Sequence, residues 1–160
     1  MPSSNVSLPK PKDWQDFERK TRDLIKFHLD DPRTQLNGRG GQPQCGVDVY
    51  GCRDRKTREW VAVQCKKSED QITKTELVKE LEDAKGFEPA ISEFILVTTA
   101  PRDAKIQKEA RLLTEELADS ERPIVVSVWG WEDIEERASE DADVWRSFDP
   151  NINPFVDQLG

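Results

Sequence analysis

Three polar side chains interrupt two segments that are otherwise typical of β-strands. Asp48 lies between two valines, and Gln64 and Lys66 alternate with a valine and a cysteine. Since alternate side chains of a strand share a face, Gln64 and Lys66 lie on the same face. If the two strands pair with Asp48 on that face, a carboxylate, an amide and an ammonium converge on one point. The pattern indicates a site for metal-assisted hydrolysis of a phosphodiester.

The same residue types supply what that reaction needs. A bound Mg²⁺ neutralises phosphate charge and lowers the pKa of a bound water, and it prefers oxygen ligands. Asp48 offers a carboxylate, Gln64 an amide oxygen, and Glu18 a second carboxylate from a preceding predicted helix. Lys66 would orient the attacking water and stabilise the charge around phosphorus. The structural alternative makes Asp48 a turn-flanking acid, Lys66 a strand-end lysine, and Glu18 the i,i+4 partner of Arg22.

The strands and helices that must position these residues follow from hydrophobic periodicity and from turn residues. Helices are predicted over 13–29, 75–85, 102–117, 131–137 and 141–148, and strands over 34–36, 46–51, 59–66, 93–99 and 124–129. Asp13 is the predicted N-cap of the first helix, whose buried stripe starts at Trp14. The order indicates an α/β fold with a mixed central sheet flanked by helices.

Composition bounds the class of protein. The 160 residues correspond to one domain, predicted over 13–149, with a flexible lead over 1–12 and a tail or linker over 150–160. An apolar run of about 18 residues is absent, which argues against a membrane span. Three cysteines without regular spacing favour a reducing cytoplasm. A zinc site built from these cysteines and His28 fits no common spacing, and His28, on a predicted buried helix face, is expected in the core.

Charge is distributed unevenly along the chain. The net charge is −8, yet residues 33–67 hold eight basic and three acidic side chains. Residues 131–149 hold eight acidic and two basic side chains. Local sign decides where a polyanion docks, so the candidate site lies in the segment best suited to DNA. The candidate DNA-backbone contacts are Arg39, Arg53, Arg55, Lys56, Lys67 and Lys74. The alternative for the loop 37–41 is a hairpin connection, and for 53–58 it is an ordinary solvated turn.

Glu18, the Gly46-Val47-Asp48 segment and the Val63-Gln64-Cys65-Lys66 segment resemble motifs of the PD-(D/E)xK nuclease superfamily. They are most similar to its Mrr-like restriction endonuclease branch, in which QxK often replaces (D/E)xK. The resemblance implies a restriction-endonuclease-like α-β-β-β-α-β core, here followed by a C-terminal helix-strand-helix extension. It implies that Asp48, Gln64 and the Cys65 backbone carbonyl ligate Mg²⁺, for which Mn²⁺ can substitute. It further implies that Lys66 is the catalytic lysine and Glu18 an auxiliary acid and possible ligand.

These observations together predict a Mg²⁺-dependent endonuclease domain acting on double-stranded DNA in the cytoplasm. Similarity to Mrr-like domains implies an effector of bacterial restriction or anti-phage defence, with a fused NTPase or sensor module as a possible partner. Cutting both strands with one site per chain implies a homodimer or larger assembly. Two alternatives stay open: an inactive nuclease-fold module for oligomerisation or docking, and a structure-specific junction resolvase.

Overall fold

The order of helices and strands follows the order predicted from the sequence. The computed structural model describes residues 7–39, 42 and 44–150. Its elements are α1 (Trp14–Leu29), β1 (Gln35–Leu36), β2 (Val49–Cys52), a 3₁₀ turn (Arg53–Arg55), β3 (Trp60–Lys66), α2 (Lys74–Ala84), β4 (Ile91–Thr98), α3 (Ala104–Ala118), β5 (Val125–Trp129), α4 (Trp131–Ala138) and α5 (Ala142–Phe148). The predicted α-β-β-β-α-β core and its helix-strand-helix extension are confirmed.

The five strands form one mixed sheet in the order β1-β2-β3-β4-β5. The first three strands pair antiparallel, and β3, β4 and β5 pair parallel. Parallel neighbours need long crossovers. Here α2 and α3 provide them, which explains why the helical segments fall between the last three strands.

Two apolar clusters cover the two faces of the sheet. One face packs Val49, Val63 and Ile95 against α1, α4 and α5. The other packs Ala62 and Phe94 against α2 and α3. Because side chains alternate across a strand, Gln64 and Lys66 belong to the second face, the one covered by α2.

Helix α1 begins where the sequence indicates, because the Asp13 carboxylate accepts a hydrogen bond from the Asp16 N–H at 2.8 Å. Its buried side chains include Phe17 and Leu24. The placement of Trp14 in the buried stripe is wrong, since its side chain is 50% exposed. Trp14 is the first helical residue, and helical side chains tilt towards the N-terminus, where no further turn of α1 can cover them.

The packed part of the chain begins before residue 13. Leu8 is buried in the cluster under α1, and its N–H donates to Glu135 on α4 at 2.8 Å. Residues 1–6 of the predicted lead and 151–160 of the predicted tail lie outside the described residues. Among the helices described, none has the length and apolar character needed to cross a membrane.

Candidate active site

Asp48 lies immediately before β2 and is fixed there by backbone hydrogen bonds. Its N–H donates to the Val63 carbonyl at 2.8 Å, and its carbonyl accepts from the Asn37 N–H at 2.8 Å. The Asn37 side-chain amide also donates to the Val47 carbonyl at 2.8 Å. Gly46 turns the chain towards β2 with φ +67°, a conformation that favours glycine. These contacts fix the backbone that carries the Asp48 carboxylate.

The Asp48 carboxylate lies against the end of β3. Its Oδ2 accepts a hydrogen bond from the Cys65 N–H at 2.8 Å. With its amide nitrogen facing Asp48, Gln64 can donate to the same oxygen at 3.2 Å and also to the Gly46 carbonyl, whereas the opposite orientation sets the amide oxygen against these two acceptors. Asp48 Oδ1 accepts no hydrogen bond from the described part of the chain. The pairing of the hairpin therefore brings Asp48 and Gln64 together, as their alternation along the strands predicts.

Lys66 lies one pleat further along the same face, at the last residue of β3. Its Nζ is 3.0 Å from Oε1 of Glu80 on α2. Glu80 is almost fully buried, whereas the Lys66 side chain is about one-third exposed. Lys66 thus has a fixed anionic partner and also reaches solvent.

Glu18 approaches the site from α1, on the opposite side of the sheet. It lies within range of the Asp48 charge: burial and then that charge raise the pKa of Glu18 to about 7. The alternative pair with Arg22 does not form, since Arg22 pairs with Asp23 at 3.1 Å. Glu18 makes no hydrogen bond or ion pair with the described residues.

The Asp48 carboxyl is also harder to ionise than an ordinary aspartate. Burial is the main cause that raises its pKa to about 6, and the Glu80 charge adds to it. The Cys65 N–H and the Lys66 ammonium act in the opposite direction. Glu18 and Asp48 therefore form a pair of partly buried acids whose negative charge is poorly compensated, because Lys66 is paired with Glu80. A divalent cation with oxygen ligands would compensate that charge.

The Cys65 backbone has the orientation that a ligand at this position needs. The N–H and C=O groups of a strand residue point towards the same neighbouring strand. Since the Cys65 N–H donates to Asp48, its carbonyl also points to the Asp48 side of β3. The Cys65 side chain points away and packs against the cluster beneath α1. Burial raises the pKa of this thiol well above its ordinary value.

The predicted DNA contacts fall into two separate regions. Lys67 is exposed directly after Lys66, and Lys74 is exposed at the start of α2, about 9 Å along the helix from Glu80. Arg39 is exposed in the loop before Asp48. Gly40 and Gly41 of that loop lie outside the described residues.

The basic hairpin tip lies at the opposite end of β3, about 23 Å from Lys66 for seven residues of strand. Arg53 binds Glu93 through two hydrogen bonds of 2.9 Å, and Arg55 donates to the Asp30 carbonyl at 3.2 Å. Lys56 is exposed beside them. The structure therefore does not bring these three residues together with Asp48.

The rival zinc site does not assemble in the described residues. No group of three or more His, Cys, Asp and Glu side chains in that part of the chain has the arrangement of a metal site. His28 lies edge-on to Trp129 with ring centroids 4.8 Å apart, and its Nε2 is 3.4 Å from Arg53. Burial, followed by the charges of Arg53 and Arg137, lowers the pKa of His28 to about 4. His28 is therefore neutral at pH 7, but the expectation that it lies in the core is wrong, because its side chain is only half-buried.

Glu80 is the site residue that the sequence analysis missed. It lies three residues after Leu77 and four before Ala84, both of which are buried on α2. Residues with these spacings share a helix face, so a carboxylate among them was the available signal. That signal was weak, because a single acid near an apolar stripe is usually solvated at the margin of the helix.

A family model, Mrr_cat, described as Restriction endonuclease, matches residues 11–122. The matched region is more than half of the chain and runs from just before α1 to the segment between α3 and β5. It contains all four residues of the Glu18, Asp48, Gln64 and Lys66 set. No curated protein matches the sequence. The match confirms the resemblance drawn from the sequence.

Proposed function

Because the chain belongs to the restriction endonuclease family, we propose that it is a Mg²⁺-dependent endonuclease that hydrolyses phosphodiester bonds of double-stranded DNA. The main supporting observation is that the Asp48 carboxylate, the Gln64 amide and the Lys66 ammonium converge at one end of the β2–β3 hairpin. Glu18 joins them from α1. The family is one of nucleases that use divalent metal ions and act on DNA.

Asp48, Gln64 and the Cys65 carbonyl would hold the metal ion, with Glu18 as a further ligand. The donor set fits Mg²⁺, since it consists of carboxylate, amide and carbonyl oxygens. The unpaired Asp48 Oδ1 and the two raised pKa values support this assignment. Gln64 can offer its oxygen if the terminal amide turns over, which exchanges the positions of its oxygen and nitrogen. When bound, the ion would neutralise phosphate charge and lower the pKa of a coordinated water.

Lys66 would act on the reacting phosphate from the same face. Its ammonium lies at the end of β3, one pleat beyond Gln64, and is partly open to solvent. A positive charge at this position stabilises the negative charge that accumulates on phosphate oxygens as the nucleophile attacks. Its three donors can also orient the attacking water.

The DNA backbone would run along the Asp48 end of the hairpin. Exposed Lys67, Lys74 and Arg39 supply positive charge there. We assign the phosphate contacts to these three and not to the distant tip that holds Arg53. The acidic remainder of the chain repels DNA, so affinity should be modest and should fall with added salt.

The proposed nuclease activity also bears on the oligomeric state, the location and the biological role of the protein. One site per chain cuts one strand, so double-strand cleavage would use a homodimer or larger assembly. The free thiols Cys45, Cys52 and Cys65 support a reducing, cytoplasmic location. The protein would act as the effector of a restriction or anti-phage system. Mn²⁺ would be able to replace Mg²⁺ in its site.

The test is cleavage of supercoiled plasmid in Mg²⁺, with and without chelator, by wild type, Asp48→Asn and Lys66→Gln. Asp54→Asn is a matched control, because Asp54 is an exposed acid in the hairpin tip. We expect metal-dependent cleavage by wild type and by the control, and loss of cleavage in the other two variants. Equal cleavage by all four proteins would refute the assignment of the site.

A second candidate, an inactive module with the nuclease fold, is favoured by the residue at position 64. The Gln64 amide nitrogen donates to the carboxylate that should bind metal, and the second acid of the motif is absent. Calorimetric titration with Mg²⁺ and Mn²⁺ distinguishes the two candidates. Binding that is lost in Asp48→Asn supports the nuclease, whereas no binding by wild type supports the inactive module.

A further inference from the structure

Lys66 and Glu80 form an ion pair between the sheet and α2 within the proposed site. Lys66 Nζ is 3.0 Å from Glu80 Oε1, and the Glu80 side chain is 8% exposed. We propose that Glu80 is the positioning residue of Lys66, holding its ammonium over the sheet face that carries Asp48 and Gln64. This inference rests on the proposed nuclease function, because it assigns Lys66 a role in the reaction.

The two partners differ in how firmly they are held. Glu80 is flanked on α2 by the buried side chains of Leu77, Leu81 and Ala84, so packing of the helix fixes its position. Lys66 is partly exposed and has a flexible stem of four carbons, and restricting such a side chain costs rotamer entropy. The buried carboxylate therefore determines where the ammonium lies, and not the reverse.

Glu80 also lies against the backbone that leads to Asp48. A Cβ atom built on Gly46 would be 3.4 Å from Glu80 Oε2, so the Glu80 carboxylate lies within van der Waals reach of this backbone. The Glu80 charge contributes to the raised pKa of Asp48 as well. The carboxylate is thus placed between the lysine and the strand start that carries the acid.

Neither a pair with Lys79 nor stability alone accounts for a buried acid at this position. Lys79 approaches the same oxygen only to 3.9 Å, is exposed, and lies closer to Asp83 at 3.3 Å. Stability does not require the pair with Lys66, because apolar side chains of similar volume often stabilise a fold as well as a buried ion pair. A carboxylate that is retained here fits a need to place the lysine.

The experiment compares wild type with Glu80→Gln, which keeps the shape of the side chain and removes its charge. The control is Glu82→Gln on the same helix, whose carboxylate is exposed and pairs with Lys85. Three assays are made: plasmid cleavage for kcat and KM, calorimetry for Mg²⁺ affinity, and mass spectrometry for the acylation rate of each lysine. Glu80→Met is a second variant that avoids an unpaired buried amide.

Both Glu80 variants should remain folded and should lower kcat by about 10- to 100-fold, with KM unchanged and Mg²⁺ affinity altered by less than tenfold. Acylation of Lys66 should become faster while that of Lys67 stays the same, which a general loss of stability would not produce. An unchanged kcat would overturn the positioning role. A tenfold loss of Mg²⁺ affinity would overturn it in favour of a metal ligand. Absence of cleavage by wild type would instead overturn the proposed function itself.

Discussion

Asp48→Asn should stabilise the fold near neutral pH while removing the proposed nuclease activity. The carboxylate is 8% exposed, and burial with the nearby Glu80 charge raises its pKa to about 6. An asparagine oxygen can still accept the hydrogen bond from the Cys65 N–H. The variant therefore removes an unfavourable buried charge and keeps the contact that anchors the side chain.

The sign and the size of the effect follow from the difference in proton binding. The pKa of Asp48 rises from 3.8 to about 6 on folding, so the folded chain holds this proton more firmly. The contribution of Asp48 to the free energy of unfolding therefore falls as pH rises from about 4 to about 6, and is level above that. At about 1.4 kcal/mol per pH unit, the penalty at pH 7.5 is about 3 kcal/mol. Asp48→Asn lacks this penalty and should melt about 6–12 °C higher.

The assay is urea or thermal unfolding in chelator at several pH values between 4 and 8, with Asp54→Asn as control. The advantage of Asp48→Asn should be full at pH 7.5 and should vanish near pH 4. Added Mg²⁺ at ten times its dissociation constant should stabilise wild type by about 1.4 kcal/mol and leave the variant unchanged. Equal stabilities at pH 7.5, or a difference that does not depend on pH, would refute the reasoning.

Three further outcomes are expected. Gln64→Glu restores a second acid beside Asp48, so calorimetry should record tighter Mg²⁺ binding. In chelator, where no cation compensates the added charge, this variant should be less stable than wild type at pH 7.5. Asp31→Ala should lower the free energy of unfolding by about 1–3 kcal/mol in urea titrations, because the buried Cys52 N–H loses the acceptor that it binds at 2.7 Å. Gly46→Ala should lower the free energy of unfolding by about 1–2 kcal/mol and reduce cleavage, since φ is +67° and the new Cβ would lie 3.2 Å from the Asp83 side chain. An unchanged variant in any of these assays contradicts the corresponding contact.

Local patterns were sufficient for the elements and for the hairpin half of the site. The alternation of Gln64 and Lys66 with apolar residues assigned both to one sheet face, and the register of β2 with β3 brings Asp48 to that face. The N-cap at Asp13 and the end of α1 at Leu29 were likewise predictable from capping and from the proline that follows. Such features depend on neighbours within about four residues, which is the range that periodicity covers.

Contacts between segments that are distant in the sequence could be identified only from the tertiary structure. Periodicity gave no reason to prefer Glu18 near Asp48 over its helical pair with Arg22, and it left Trp14 in the buried stripe although half of that side chain is exposed. The hairpin tip with Arg53 was as basic as the site segment, yet Arg53 binds Glu93 at the far end of β3. Each of these outcomes is decided by which elements pack side by side.

The sequence by itself determined that an acid, an amide and a lysine share one face at the end of a strand hairpin. The tertiary structure decided which helices pack next to these residues and which side chains those helices bring to them. Helix α2 crosses that face and brings Glu80 to Lys66, fourteen residues later in the chain, and α1 brings Glu18 to the other side of Asp48. Side-chain alternation is a property of one strand, whereas the partner of a side chain across the core depends on how helices pack on the sheet.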